Sequence, residues 1–431
     1  MNAASPFAFD SPDQAIQALS QRITATDIES VDFGSSLASL QSIHRRILAE
    51  PILADRDSPA ANVSAMDGYA IYESDLKRDG VIEVTGESVP GSPPPSRSDS
   101  GVIRIFTGAI VPEGCDRVIQ REHTEELAGT SADDSNSRGP NSRGQIRWTE
   151  RARSIPPGAN IRCQGENLTA GSVAIPAGLE LTSPRLAALT NFGVHQLQVH
   201  RPVRVAVLTT GDELASASSK NETPLPPWKI RNSNASALIG LLANQPWIDC
   251  VSPMHAVDKP SVLRASVLQA IEHHDVVLMT GGVSMGDYDY VPRILQEVGA
   301  EIVFHKLPLR PGKPILGAIQ SSPTGATLIL GLPGNPVSAT MGARRFAMPL
   351  IRKFAGLRDW AECPPHVMLD EVGDKTLPLH WMRGVRMIQP GVAELVLGKG
   401  SGDLATLALT DGFIEMPPHA NAPGPWPYFA W

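Results

Sequence analysis

Cysteine is scarce in this chain. Its four thiols, Cys115, Cys163, Cys250 and Cys363, lie too far apart for the short paired spacing of a zinc or iron–sulfur site. They read as buried or idle, as in a reducing compartment. Long apolar runs are also missing. No uncharged apolar segment reaches 18 residues, and the opening MNAASPFAFDSPDQAI lacks a basic stretch followed by a hydrophobic one. The expectation is a cytoplasmic protein with no membrane insertion. Positive charge is in deficit: 37 Lys plus Arg face 45 Asp plus Glu, for a net charge of -8. That balance argues against nonspecific nucleic-acid binding and leaves local basic pockets open.

What is present is globular in character, with 42% hydrophobic and 19% charged residues. At 431 residues the chain exceeds what one core supports, so two to four domains are expected. Near the start, residues 11–23 predict a helix capped by Ser11, and residues 36–49 a second one stopped by Pro51. From about 60 to 168 the texture changes to short β-like runs such as VIEVTG and GVIRIFTG between Gly/Pro turns, a small β domain. Inside it, AGTSADDSNSRGPNSRGQ has almost nothing to bury and reads as a mobile surface insertion. Next, strand-like VRVAVLTTG, DVVLMTGG and ATLILGLPG alternate with helical NASALIGLLAN, SVLRASVLQAIEHH, DYVPRILQEVG and NPVSATMGARRFAMPLIRKF. That alternation predicts a mostly parallel sheet covered on both faces, with its ligand loops beyond the carboxyl ends of the strands. The last 70 or so residues return to short strands, and the terminal HANAPGPWPYFAW reads as an apron packed through its aromatics.

Several loops have the chemistry of anion handling. In LMTGGVSMGDYDYVPRIL, Gly281, Gly282 and Gly286, with Ser284 between them, allow backbone amides to approach an oxyanion where a strand turns into a helix. A tight turn would need the same glycines. Asp287 and Asp289 could hold magnesium beside that loop or merely cap the helix. In ILGLPGNPVSATMG, Pro336 is preorganised at a helix start whose amides face outward. FHKLPLRPGKP places Lys306, Arg310 and Lys313 within eight residues, either a solvated face or a set of charges for an oxyanion such as phosphate. Asp212 and Glu213 follow the first apolar strand and Asp258 follows DCVSPMHAV; Asp212 could simply cap. Asp67 and Thr107 rate only as turn residues, and adjacent His273 and His274 give no metal-binding spacing.

Nine segments in order, SAMDGYA, RIFTGAIVPEGCD, NIRCQGE, TTGDEL, IRNSN, TGGVSMGDYDYV, RPGKP, GLPGNPVSA and MRGV, closely resemble the molybdopterin molybdenumtransferases. That family includes the MoeA proteins and the E domains of gephyrin and its plant counterpart. The resemblance implies a multidomain α+β and α/β fold. A discontinuous helical linker domain would occupy 10–55 plus 169–200, a small β domain 56–168, a doubly wound molybdopterin-binding-like α/β domain 201–356 and a C-terminal β-barrel-like domain 357–431. It further implies a homodimer with an intersubunit active site that binds adenylylated molybdopterin and molybdate. Such an enzyme hydrolyses the adenylate with Mg²⁺ and leaves molybdenum on the dithiolene; the upstream molybdopterin adenylyltransferase is a further implied partner.

By the same resemblance Asp67 and Thr107 reach toward the partner's α/β domain, and Glu213, Asp258 and Asp289 bind metal and position water. Lys306 and Arg310 neutralise charge, Arg162 lies in the site, and Pro333, Pro336, Arg383 and Ser401 form the molybdate pocket. Three departures stand out. Asn167 replaces the acid of a GED segment, Arg310 replaces a lysine, and Thr410-Asp411-Gly412 stands where relatives have ANG. No residue distinguishes molybdate from tungstate. Two alternatives stay open: a catalytically weak binding or scaffold protein of the same fold, and adenylyl transfer itself.

Overall fold

The computed structural model describes residues 7–34, 36–96, 101–127, 144–215, 225–283, 289–323 and 325–431. The chain divides into two compact units, one of Met1–Glu50, Pro176–Leu186 and His195–Trp431, the other of Pro51–Ile175 and Ala187–Val194. No helix among the described residues is long and apolar enough to cross a membrane.

The larger unit is built on the sheet that the strand and helix alternation predicts. Its strand order is Ile248–Ala256, Val203–Thr210, Val276–Thr280, Gly325–Leu332, Leu316–Ser322, Glu301–His305. The first four are parallel. The last two, which the sequence did not announce, run antiparallel along one edge. Period-two alternation assigns the core: Val203, Val205, Val207, Leu278 and Leu330 pack with Leu238, Phe346, Leu350 and Phe354 on one face. Ala206, Leu208, Val277, Met279 and Ile329 meet Leu263, Val267 and Ile294 on the other. The N-terminal helix Pro12–Ser20, capped by Ser11, lays Ala15, Ile16 and Leu19 on the first face.

The helix expected over 36–49 is shorter. It runs Leu37–Ile43, because Arg45 takes a left-handed conformation (φ 66°) and Ile47 and Leu48 leave to bridge Glu180 and Val199. Pro51 therefore does not stop it. Ile28–Asp32, unread in the sequence, pairs antiparallel with Gln196–His200. The long helix after GLPGN is interrupted by a π-turn at Ala343–Ala347 between Pro336–Gly342 and Met348–Phe354. Arg345 on that turn is buried and ion-pairs with Glu415.

The C-terminal strands close on themselves. The order Leu309–Arg310, His380–Gln389, Val392–Leu395, His366–Leu369, Trp426–Ala430, Gly412–Met416 is completed by a second pairing between His380–Gln389 and Gly412–Met416. The terminal aromatic segment is thus a barrel strand rather than an apron, and its Phe429 stacks on Phe413 at 5.1 Å. Leu309–Arg310, expected within the α/β segment, pairs with His380 and Trp381 of this barrel.

The smaller unit carries a six-stranded sheet ordered Arg117–Gln120, Gly68–Ile71, Gly101–Ile105, Ile82–Ser88, Gln145–Trp148, Thr124–Glu126. Tyr69, Val84, Val102, Ile119 and Trp148 fill one face; Ala70, Ile103, Ile105 and Val118 fill the other. The anticipated polar insertion falls largely outside the described residues, at 128–143, and its flanks Thr124–Glu126 and Gln145–Trp148 pair with each other.

Candidate functional site

Four loops leave the carboxyl edge of the parallel strands side by side, where ligand sites of such sheets lie. Strand register puts Thr210 opposite Ala256, Thr209 opposite Thr280, and Thr280 opposite Leu332. The segments following these residues, Asp212-Glu213, Asp258, Gly281-Gly282 and Pro333-Gly334-Asn335, are neighbours for that reason. Asp212 and Asp258 clasp each other: each backbone amide donates to the other's carboxylate, at 3.3 Å in both directions. Asp212, readable in the sequence as a mere cap, is therefore the close partner of Asp258. Glu213 folds its carboxylate over Gly211, where a Cβ would lie 2.4 Å from Glu213 Oε2. Behind them, Lys229 Nζ donates to the Asp212 carbonyl, and Asn232 Nδ2 donates to Thr209 Oγ1 at 2.8 Å.

Gly281 must be glycine on two counts. Its φ is +90°, and a Cβ there would meet Thr210 Oγ1 at 2.6 Å and the Thr210 carbonyl oxygen at 3.0 Å. Beside it, Asn234 Nδ2 donates to the Gly334 carbonyl at 2.8 Å, fixing the proline loop. Ser284 and Gly286, and Asp287 with them, lie outside the described residues. Among those described, no group of three or more His, Cys, Asp or Glu side chains is arranged to hold a metal. Glu213 and Asp258 share the edge, while Asp289, half-buried just ahead of the helix Val291–Glu297, does not join them in such a group.

The same proline loop forms one wall of a cleft of about 620 Å³. Arg310, Pro311, Gly312 and Lys313 line it, with Pro333, Asn335, Val337 and Met341, and on the barrel side Trp381, Arg383, Leu395, Leu397, Ser401 and Asp403. Three predicted pocket residues, Pro333, Arg383 and Ser401, meet here although 68 positions of chain separate the outer two. Ser401 is tied in by its carbonyl, which accepts from Val337 N at 3.1 Å. One amide expected to be free at the helix start is thus occupied by the barrel loop. Pro336 opens the helix as predicted but, unlike the other three residues expected in the pocket, does not line the cleft. Lys306 adopts a left-handed backbone (φ 76°) with its amide donating to the Ile315 carbonyl, and it does not line the cleft.

Charge in the cleft is lopsided. Arg310, Lys313 and Arg383 have no carboxylate partner among the described residues. Arg383 is half-buried; its guanidinium lies 4.3 Å over the Trp381 ring, and Nη1 is 4.0 Å from Met416 Sδ. Burial alone pulls its pKa down. A half-buried cation without a carboxylate partner is the kind of group that an incoming anion would compensate. The cleft's carboxylate, Asp403, is engaged locally. It accepts from Lys399 N, Thr406 Oγ1 and Thr406 N, and these bonds, the Lys399 amide first, hold its pKa at about 2.

In the smaller unit, Thr107 donates to Asp67 Oδ1 through both its amide (2.8 Å) and its hydroxyl (2.7 Å). Those two bonds keep the exposed Asp67 carboxyl below its usual range. Arg162 Nε donates to Glu166 Oε1 at 2.5 Å and Nη2 to Asn167 Oδ1 at 2.8 Å, so the neutral Asn167 still serves as an acceptor. Asp212 was noted beyond a strand end but only as a possible cap, and the places of Trp381 and Asp403 in the cleft were missed in the sequence; for Trp381 the signal was the period-two spacing to Arg383.

The family model described as MoeA N-terminal region (domain I and II) matches residues 11–193, and that described as Probable molybdopterin binding domain matches 206–353. A molybdopterin molybdenumtransferase from Nostoc sp. is 33% identical over 89% of this chain and 85% of its own. One from Haemophilus influenzae is 33% identical over 76% of this chain and 74% of its own. The solved MoeA protein of molybdopterin biosynthesis from Pyrococcus horikoshii OT3 is similar in fold, with a TM-score of 0.72 at 22% identity over 98% of this chain and all of that one. With motifs in family order, family models over most of the chain and relatives of this identity and coverage, the chain belongs to the molybdopterin molybdenumtransferase family.

Proposed function

We propose that this protein inserts molybdenum from molybdate into adenylylated molybdopterin, releasing AMP and the molybdenum cofactor. The observation that carries the proposal is Arg383, a half-buried cation without a carboxylate partner among the described residues, in a cleft whose other wall is the proline loop at the sheet's carboxyl edge. A tetrahedral dianion at Arg383 would satisfy its guanidinium donors, with Ser401 as a hydroxyl donor. The glycine and proline loops accept the phosphates of the adenylylated pterin through backbone amides, and Glu213 orients water toward the phosphate link.

The residues present fit Mg²⁺. This ion keeps several waters and needs only one or two protein carboxylates beside substrate phosphates, a set that Asp212 and Asp258 supply. Bound there, it would offset phosphate charge. A homodimer with a shared active site, cytoplasmic location and hand-over from the upstream molybdopterin adenylyltransferase belong to the same proposal.

The test incubates purified protein with adenylylated molybdopterin, Mg²⁺ and molybdate, following AMP release and pterin-bound metal together. Both products are expected, and Glu213→Gln should fold yet suppress them. Substrate binding without either product would favour a scaffold of the same fold.

A further inference from the structure

Trp381 is a large aromatic in the cleft that the proposed chemistry leaves without a role. It sits two residues before Arg383 on the barrel strand His380–Gln389, so period-two alternation puts both side chains on one face. Pairing with the strand Gly412–Met416 fixes that register, Trp381 opposite Met416 and Arg383 opposite Ile414. The guanidinium carbon stands 4.3 Å from the indole centroid; a second cation, Lys375, reaches the same ring only at 5.9 Å. Trp381 is itself held by the barrel's apolar cluster, which includes Val385, Ile414 and Met416.

We infer that Trp381 is the positioning residue that makes Arg383 an oxyanion receptor. A carboxylate could also hold an arginine in place, but it would neutralise the charge and compete with the incoming anion. An aromatic face avoids both problems: it attracts the planar cation through its quadrupole and leaves the N–H donors around the guanidinium edge available. The neighbouring acceptor, Met416 Sδ, is a weak one. Arg383 is thus confined before ligand arrives, and less side-chain freedom is lost on binding. The inference rests on reading this cleft as the molybdate subsite.

The experiment measures molybdate binding to the full-length protein by equilibrium dialysis, for wild type, Trp381→Leu, Trp381→Phe, Arg383→Gln and the Trp381→Leu/Arg383→Gln double variant. Loss of the π face should weaken molybdate binding about 3- to 30-fold. Trp381→Phe should stay within about threefold of wild type, since a phenyl ring keeps the face. In the Arg383→Gln background, Trp381→Leu should have no further effect, which a general structural role would not reproduce. Unchanged affinity in Trp381→Leu, or an equal loss with and without Arg383, overturns the positioning role. Equal binding by wild type and Arg383→Gln overturns the reading of the cleft itself, and the inference with it. If the leucine variant does not fold, Trp381→Met is judged by the same outcomes.

Discussion

Replacing Glu415 with leucine should destabilise the larger unit far more than an ordinary surface change. Glu415 and Arg345 are 6% and 8% exposed, and Arg345 Nε lies 2.7 Å from Glu415 Oε2. The pair joins the π-turn of the long helix to the barrel strand that lies beside Arg383. In Glu415→Leu, Arg345 keeps its charge and retains the Phe429 ring and, as its one carboxylate partner among the described residues, Asp13, whose side chain is 82% exposed. Removing one partner of a buried pair costs about 3–5 kcal/mol. For a unit of about 300 residues that corresponds to a thermal shift of roughly 5–8 °C. The paired replacement Arg345→Met with Glu415→Leu removes both charges and should recover most of the loss, because two apolar side chains carry no desolvation penalty. Thermal unfolding of the single and double variants, followed by tryptophan fluorescence, measures this. A single-variant shift under about 2 °C, or a double variant no better than the single, would refute the reasoning.

The same carboxylate gives a pH dependence. Burial pushes the Glu415 pKa up, but neighbouring His380 and Arg345 outweigh burial and hold it below its usual value. Its contribution to stability is therefore complete above the unfolded carboxyl pKa of about 4.3 and is lost as pH falls through the lower folded value; melts of wild type and Glu415→Leu should converge over that acid range. Thr107→Val removes one of two donors to Asp67, and its carboxyl resonance should titrate at higher pH than in wild type. Gly281→Ala forces a Cβ against Thr210 in a left-handed backbone, at a cost of about 1–3 kcal/mol, and should weaken AMP binding measured by calorimetry. If the active site is shared between subunits, exchanging subunits between inactive Asp67→Asn and inactive Arg383→Gln should restore about one quarter of wild-type sites, and no recovery would count against a shared site.

Much of the architecture was legible because its causes are local. The runs at 203–210, 276–280 and 325–332 are apolar on both faces, as strands covered on both sides must be, and each ends in glycine or proline chemistry that predicts a loop. The terminal aromatic strand was misread because its proline and glycine content signals irregular backbone, while its pairing partners lie far away in sequence. The helix at 37–43 was overextended because Ile47 and Leu48 continue the apolar pattern although they leave to pair with other segments.

By itself, then, the sequence determined the alternation of strands and helices, the positions of the glycine and proline loops, and the ordered motifs that identify the family. Those follow from side-chain periodicity, turn stereochemistry and residue identity, all readable within a few neighbouring positions. Tertiary structure alone decided that Asp212 clasps Asp258, that Arg310 belongs to the barrel's sheet, and that Arg383 rests on Trp381 without a carboxylate partner among the described residues. These depend on strand register and barrel closure between distant segments, and on a desolvation of charge that exists only once those segments have packed.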